Sequence, residues 1–443
     1  MTPTTSSGAV VDLRVRLEVL RQRFAEIEPR IHAFVPGAGP DWEGLHRQAE
    51  ALSERFPDPD DRPPLWGLPV AVKDIFHVEG FPTRAGSTLP PEELAGSEGP
   101  VVRALRDAGA LILGKSATTE FAYFAPGPTE NPHRAGHTPG GSSSGSAAAA
   151  AAGLCSLALG TQTIGSVIRP AAFCGVVGFK PSYDRLSCEG VIPLAPSYDH
   201  IGLFALSVAA VTRAAAALLP DWAPSGTSQA TPERAPVLGI PEGPYLDRSS
   251  VPGLAHFEET AERLHALGCR VVTVPAFSDF DEIERRHRRL LAYEAHETHA
   301  VHRDWFLRHE KRYHPTTAAL IRQGREVPSE TAREVRAARR ELRDELHRLM
   351  DRHGLDVWIA PPALGAAPKG LDSTDDPVMN LPWTQAGLPA IQLPAGRDDQ
   401  ELPMGLQVVG RFGADGRLLT WAWKLETALG RGSDNPPSQA PFD

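Results

Sequence analysis

Three residues at three separated places are of the types that acyl-transfer chemistry requires. Lys73 lies inside an apolar run, "GLPVAVKDIF"; Ser142 follows a double glycine in "GGSSSGSAAAAAAG"; and Ser166 sits in "GTQTIGSVIRPA". A serine hydroxyl is a poor nucleophile at neutral pH and needs a base to take its proton. A fully buried lysine either pairs with an acid or loses its own proton, since desolvation lowers its pKa by up to ~3–5 from ~10.4. A lysine made neutral in this way is a general base. The plainer alternative is that Lys73 pairs with Asp74 or another carboxylate.

Other patterns compete for attention, and physical context decides each. "GALILGKS", Gly109 to Ser116, spells the phosphate-binding GxxxxGK[ST] pattern. Its four inner residues are Ala-Leu-Ile-Leu, however, which read as a buried strand and not as a turn exposing its amides. "HETHAVH", His296 to His302, lacks the second histidine of HExxH, because Ala300 stands there. Its histidines at i, i+3 and i+6 share a helix face, yet a mixed helix surface accounts for them, and no metal or cofactor is expected. "GSSSG", Gly141 to Gly145, fits a nucleophile elbow centred on Ser143, with Asp199 and His200 as acid and base. An elbow follows a central strand, which Pro139 opposes.

The elements that must position these residues follow from periodicity. Leu13, Leu17, Leu20, Phe24 and Ile27 recur at helical spacing and predict an amphipathic helix ending before Pro29. A second helix is expected over Gly44 to Phe56. "LWGLPVAVKDIF" reads as a buried strand, "VVRALRDAG" as a helix, and "ALILGKS" as a short strand after a turn at Gly109. The alanine run predicts a helix that Ser144 or Ser146 caps. "SLALGTQT", "GVVGFK", "LDVWIAP", "PAIQLPAG" and "MGLQVVG" read as strands, and "LLTWAWKLETAL" as a closing helix. From about 275 to 354 the chain is helical and highly charged, with acids and arginines at i,i+3 and i,i+4 spacings. This alternation is the grammar of an α/β fold.

Bulk properties narrow the function class. The 443 residues carry a formal net charge of -10 and a pI near 5.9, against a general affinity for nucleic acid or an anionic membrane. Cys155, Cys174, Cys188 and Cys269 show no CxxC spacing, so reduced thiols and a cytoplasmic location are expected. The N-terminus has no apolar signal core, and the longest apolar stretch, Ala147 to Leu159, is too short to span a bilayer.

"GLPVAVKDIF", "GKSATTEFA", "NPHRAGHTPGGSSSGSAAAAAAG", "LALGTQTIGSVIRPAAFCGVVGFKPSY" and "NLPWTQAGLPAIQLPAG" together resemble the amidase signature family, in its order and at about its distances, over most of the chain. The resemblance implies a single domain over about 10–431, a mixed multi-stranded β-sheet enclosed by α-helices, with flexible ends at 1–9 and 432–443. It implies a Ser-cisSer-Lys triad: Ser166 as nucleophile, Ser142 as the middle serine on a cis peptide bond, and Lys73 as base. The spacing 166 − 142 = 24 matches the family and singles out Ser142 from Ser143 and Ser144. Backbone amides of Thr163, Ile164, Gly165 and Ser166 are expected to receive the oxyanion, with Gly141, Ser143 and Arg169 lining the site.

The expected activity is hydrolysis of the amide bond of a small molecule through an acyl-enzyme on Ser166, with esters and carbamates as additional substrates. Substrate choice is assigned to 76–90, 121–126 and the helices around 290–321. The family also contains glutamine-hydrolysing subunits of transamidation complexes, and homodimers are common in it. A catalytically inactive binding protein is a third reading. Departures from the common nucleophile loop are Gln162 and Ile164, where Asp and Gly usually stand, and Arg169, one position later than usual. Ile164 is ill suited to positive φ, which leaves the oxyanion loop open to question. Arg169 is read either as a ligand for a substrate carboxylate or as part of an internal salt bridge.

Overall fold

The short apolar runs become strands of one sheet. In the computed structural model, which describes residues 12–220, 222, 234–297 and 300–430, ten strands form a single mixed sheet. They are β1 (Pro69–Lys73), β2 (Leu111–Ser116), β3 (Leu157–Gln162), β4 (Val177–Lys180), β5 (His200–Ala205), β6 (Val237–Glu242), β7 (Arg270–Pro275), β8 (Val357–Ala360), β9 (Ala390–Arg397) and β10 (Pro403–Val409). Their spatial order is β2-β1-β3-β5-β4-β9-β10-β8-β6-β7. The outer trios, β2-β1-β3 and β8-β6-β7, pair parallel, whereas the strands between them pair antiparallel.

Helices cover both faces, as a sheet with parallel wings requires. One face carries α1 (Leu13–Ile31), α2 (Trp42–Arg55) and, after α3 (Pro100–Asp107) on the other face, α4 (Ser144–Ala151). The alternation of β1 sorts its side chains between these layers: Ala71 packs toward α4, while Val70 and Val72 pack with α3. The alanines of α4 now have a reason. Ala147 to Ala150 are at most 1% exposed, and only small side chains let a helix lie so close to a sheet while other helices cover its back. Ser166 stands just before α5 (Ile168–Cys174); α6 (Val208–Leu218) and α7 (Val251–Ala266) follow. Between β7 and β8 the chain passes through α8 (Phe280–Glu297), α9 (Ala300–His309), α10 (Pro315–Gly324) and α11 (Ser329–His353), before α12 (Leu381–Ala386) and the closing α13 (Asp415–Ala428).

Several local expectations are corrected. The first helix runs through Pro29 to Ile31. A proline in the last turn is tolerated because the helix is ending there, and the Glu28 carboxylate takes the Ala33 and Phe34 amides (3.1 and 2.8 Å) as the chain leaves. Neither Ser144 nor Ser146 caps α4: the N-cap position is Ser143, and its side chain makes no capping bond. Ser144 Oγ instead donates to the Gly140 carbonyl (2.7 Å) and Ser146 Oγ to that of Leu159 (2.8 Å), fastening the helix to the loop and the sheet. The ends at 1–9 and 432–443, expected to be flexible, lie outside the described residues, as does His299 of the histidine cluster. Among the described residues no group of three or more His, Cys, Asp or Glu could hold a metal, and no helix is long and apolar enough to cross a membrane.

Candidate active site

Lys73 ends β1 with its side chain fully buried. Its side-chain nitrogen is joined to Ser142 Oγ at 2.7 Å and to Thr161 Oγ1 at 2.8 Å. No carboxylate lies within ion-pair distance among the described residues. Asp74, the adjacent acid, points the other way, because successive strand residues face opposite sides of the sheet. It pairs instead with Lys115 at 2.8 Å, in register with Val72 on β2. This overturns the pairing of Lys73 with Asp74, and it gives the lysine of "GALILGKS" a structural partner within a fully buried strand.

Burial pushes the Lys73 amine well below its usual value, and the more distant negative charge of Asp199 opposes the shift only in part. The hydrogen bonds agree with this direction. An ammonium has three N–H groups to satisfy, and two hydroxyl acceptors face it. A neutral amine can donate to Thr161 and turn its lone pair toward the Ser142 hydroxyl. Thr161 lies on β3, where the parallel register sets Val72 opposite Leu159 and therefore brings residue 161 past the end of β1.

Ser142 follows a cis Gly141–Ser142 peptide bond. The double glycine is needed for space as well as conformation. Gly140 has φ +77, and a Cβ there would meet Pro170 Cα at 2.9 Å. Arg169 Nη2 donates to the Gly141 carbonyl at 2.7 Å and to Thr374 Oγ1 at 3.3 Å, and Nη1 donates to the Asp375 carbonyl. Arg169 is thus committed to oxygens of the protein and makes no salt bridge within 4 Å among the described residues. Burial lowers its pKa to about 10, against the opposing charges of Asp375 and Asp376, which leaves it protonated at neutral pH. Through it the Ser142 loop is bound to the segment that follows Ser166. Exposure falls from 8% at Ser166 to 2% at Ser142 and 0% at Lys73, so Lys73 lies deepest and Ser166 nearest to solvent.

The loop from Thr163 to Ser166 is held from several sides. Thr163 Oγ1 donates to Asp199 at 2.5 Å, and Asp199 also accepts the Leu194 and Ala195 amides at 2.9 Å each. Ile164 is not among the residues with positive φ, which removes the conformational objection to a branched residue there. Gly165 has no room for a side chain, since a Cβ would stand 2.1 Å from Asn380 Oδ1. Among the described residues, no acceptor within the protein engages the amides of Ile164, Gly165 and Ser166. Ile164 packs in an apolar cluster with Leu194, Tyr198, Leu290 and Leu381, with the half-buried rings of Tyr123, Phe124 and Tyr293 against it.

The elbow reading loses its geometry. Ser143 Oγ both donates to and accepts from the backbone of Thr161, at 3.2 Å each, and is fully buried. His200 directs Nδ1 at the carbonyls of Tyr198 (2.5 Å) and Gln162 (3.3 Å), and burial keeps it neutral. A groove of about 880 Å³ between α7 and the β6–β7 edge contains none of these residues. Sequence reading missed the contributions of Thr161, Gln162, Asp199 and Thr384. Thr161 and Gln162 lay within the quoted nucleophile motif, but only strand register reveals what they touch.

A buried amine bonded to a serine hydroxyl, together with a loop of amides that no acceptor of the described residues engages, are parts that acyl transfer through a serine would use. The family model described as Amidase matches residues 17–419. The chain is similar to a glutamyl-tRNA(Gln) amidotransferase subunit of Synechococcus sp. (strain WH7803), 32% identical with 92% of each chain covered. It is also similar to 2-amino-5-chloromuconic acid deaminase of Comamonas testosteroni, at 30% identity with 94% of this chain and 92% of that one covered. A solved structure described as the crystal structure of amidase superposes with a TM-score of 0.84 and 33% identity, covering 95% of this chain and 97% of that one. The chain belongs to the amidase family and is a hydrolase of amide C–N bonds.

Proposed function

We propose that this protein is a free-standing amidase whose substrate is a small molecule with an uncharged, apolar acyl group, and that Ser166 is the nucleophile. The contact that carries the reading is the one between Lys73 and Ser142. Ser166 Oγ attacks the substrate carbonyl and passes its proton to Ser142 Oγ, whose own proton moves to the neutral Lys73 amine. The oxyanion of the tetrahedral intermediate is received by the free amides of the 164–166 loop, each such donor removing roughly 3 kcal/mol of barrier. Collapse breaks the C–N bond, and the proton returns through Ser142 to the leaving amine. Water then attacks the acyl-enzyme, giving its proton along the same path and restoring Ser166. Esters and carbamates share this step and are expected substrates.

The apolar preference is supported by Ile164 and the aromatic wall of Tyr123, Phe124 and Tyr293, and by Arg169 being turned onto protein carbonyls. The helices from α8 to α10 supply part of that wall and are assigned the selection of substrate. A second reading, a glutamine-hydrolysing subunit of a transamidation complex, is favoured by the likeness to the amidotransferase subunit. Glutamine carries a charged amine and a carboxylate that this wall is poorly made to hold.

The test is labelling of the purified chain with a fluorophosphonate, followed by peptide mapping and assay of simple amides and of glutamine. Label on Ser166 that Lys73→Ala abolishes, with turnover of apolar amides, supports the free-standing amidase. Glutamine turnover that appears only with a partner supports the second reading, and label on Ser143 overturns both.

A further inference from the structure

From the hydrogen-bond directions around the nucleophile loop, we infer that Gln162 and Thr384 form a one-way clamp that aims the Gly165 amide, and that both are positioning residues for the reaction. The inference rests on the assignment of Ser166 as nucleophile. Gln162 Oε1 accepts the amides of Val167 (2.8 Å) and Ile168 (3.0 Å), while its Nε2 donates to Thr384 Oγ1 (2.9 Å). Thr384 Oγ1 in turn donates to the Ile164 carbonyl (2.7 Å). Gln162 and Thr384 are both almost wholly buried, so water does not compete for these bonds.

Each bond in this chain has only one workable direction. The Ile164 carbonyl can only accept, so it takes the single Thr384 hydroxyl proton. The remaining lone pairs of Thr384 then face residue 162 and require an N–H. Main-chain amides can only donate, so Val167 and Ile168 require an acceptor from the same side chain. An amide side chain supplies both; a carboxylate supplies acceptors alone. With a carboxylate at 162, the Thr384 proton would be drawn away from Ile164.

The consequence for the site follows from peptide planarity. In a trans peptide the carbonyl and the following N–H point to opposite sides. Pinning the Ile164 carbonyl toward α12 therefore turns the Gly165 N–H away from α12. Gly165 packs against Asn380 Oδ1 on the α12 side, with no space for the loop to shift in that direction. Gln162, where the common motif has an acid, is thus matched to Thr384, and the branched Ile164 is held without positive φ.

The test uses the full chain with Thr384→Val, Thr384→Ser, Gln162→Glu and the Gln162→Glu/Thr384→Val double variant. Thr384→Val and Gln162→Glu are expected to lower kcat roughly 10–100-fold with KM changed less than about threefold, as for partial loss of an aligned oxyanion donor. Thr384→Ser is expected to keep most of the activity, and the double variant to be no worse than the poorer single one. Hydrogen–deuterium exchange should show faster exchange confined to 162–168 in Thr384→Val, with Tm little changed. Multiplied losses in the double variant, or a Thr384→Ser as impaired as Thr384→Val, overturn the clamp. Unchanged exchange over 162–168 overturns it too, whatever residue the fluorophosphonate labels; label elsewhere than Ser166 instead defeats the functional reading.

Discussion

Lys73 and Lys115 stand on neighbouring strands, both fully buried, yet the sheet gives them opposite chemistry. Lys115 projects to the same side as Val72 and meets the Asp74 carboxylate at 2.8 Å and the Thr83 hydroxyl at 3.1 Å. Lys73 projects to the other side and, among the described residues, meets only the hydroxyls of Thr161 and Ser142. Burial lowers both lysine pKa values, but at Lys115 the adjacent negative charge and its hydrogen bond oppose the change. A carboxylate in contact holds a buried lysine as an ion; hydroxyls alone leave it free to act as a base. Pleat alternation, a single residue step, separates a structural ion pair from the amine proposed as the proton acceptor.

The sharpest way to break this comparison is to remove each amine. Lys73→Ala should reduce kcat/KM roughly 10³–10⁴-fold, as loss of one member of such a relay does, while the chain still melts cooperatively near the parent Tm. Lys115→Met should strand a buried carboxylate and cost about 3–5 kcal/mol of stability by denaturant titration. Adding Asp74→Leu to Lys115→Met should recover most of that loss. If Lys115→Met instead melts normally and is inactive, the two lysines have been assigned the wrong way round.

Titration should separate them next. Because the folded Lys73 pKa lies below its unfolded value, the unfolded chain binds more protons between the two values. Stability drawn from this residue therefore rises with pH across that window and is lowest below it. Lys73→Met should flatten this part of the Tm-against-pH profile and raise stability at neutral pH, with the gain shrinking as pH approaches ~10.4. For the parent enzyme, kcat/KM should climb with pH as Lys73 loses its proton, with a midpoint below the ordinary lysine range. A midpoint at the ordinary value would show Lys73 to be charged at rest.

The smallest expected effects come from the two threonines. Thr161→Val removes one acceptor from Lys73 and should lower kcat about tenfold as well as costing about 1 kcal/mol of stability, the net worth of one hydrogen bond. Thr83→Val removes the equivalent acceptor from Lys115 and should cost about 1 kcal/mol of stability with kcat intact. An exchange of those phenotypes would contradict the division of roles.

Much of this arrangement was legible in the chain. The strands declared themselves as short apolar runs, and the order of the glycine-serine segment and the 166 segment marked the three residues proposed to react. What could not be read was lateral. That Asp74 turns from Lys73 follows from alternation and was available in principle, but that Lys115 receives it depends on how β2 registers against β1. Thr161 and Thr384 depend likewise on strand pairing and on α12 docking across the sheet, contacts 88 and 220 residues distant from Lys73 and Ile164. Ser144 and Ser146 misled because their hydroxyls found carbonyls in the loop and in β3, which outcompeted helix capping. Pro29 misled because a final helical turn has few bonds left for a proline to break.

The passage from β7 to β8 leaves the sheet and rejoins it two positions away, with only β6 between. Its helices fasten to the rest through Phe121, stacked on Tyr313 and Trp305, and through the Glu120 carboxylate on the His314 amide. Neighbouring Thr119 donates its own amide to the Ser142 carbonyl at 3.2 Å. One short turn thus joins an excursion of four helices to a centre built from other parts of the chain. The turn at 119–121 thus works as a rivet, one side gripping the excursion and the other the loop that carries Ser142.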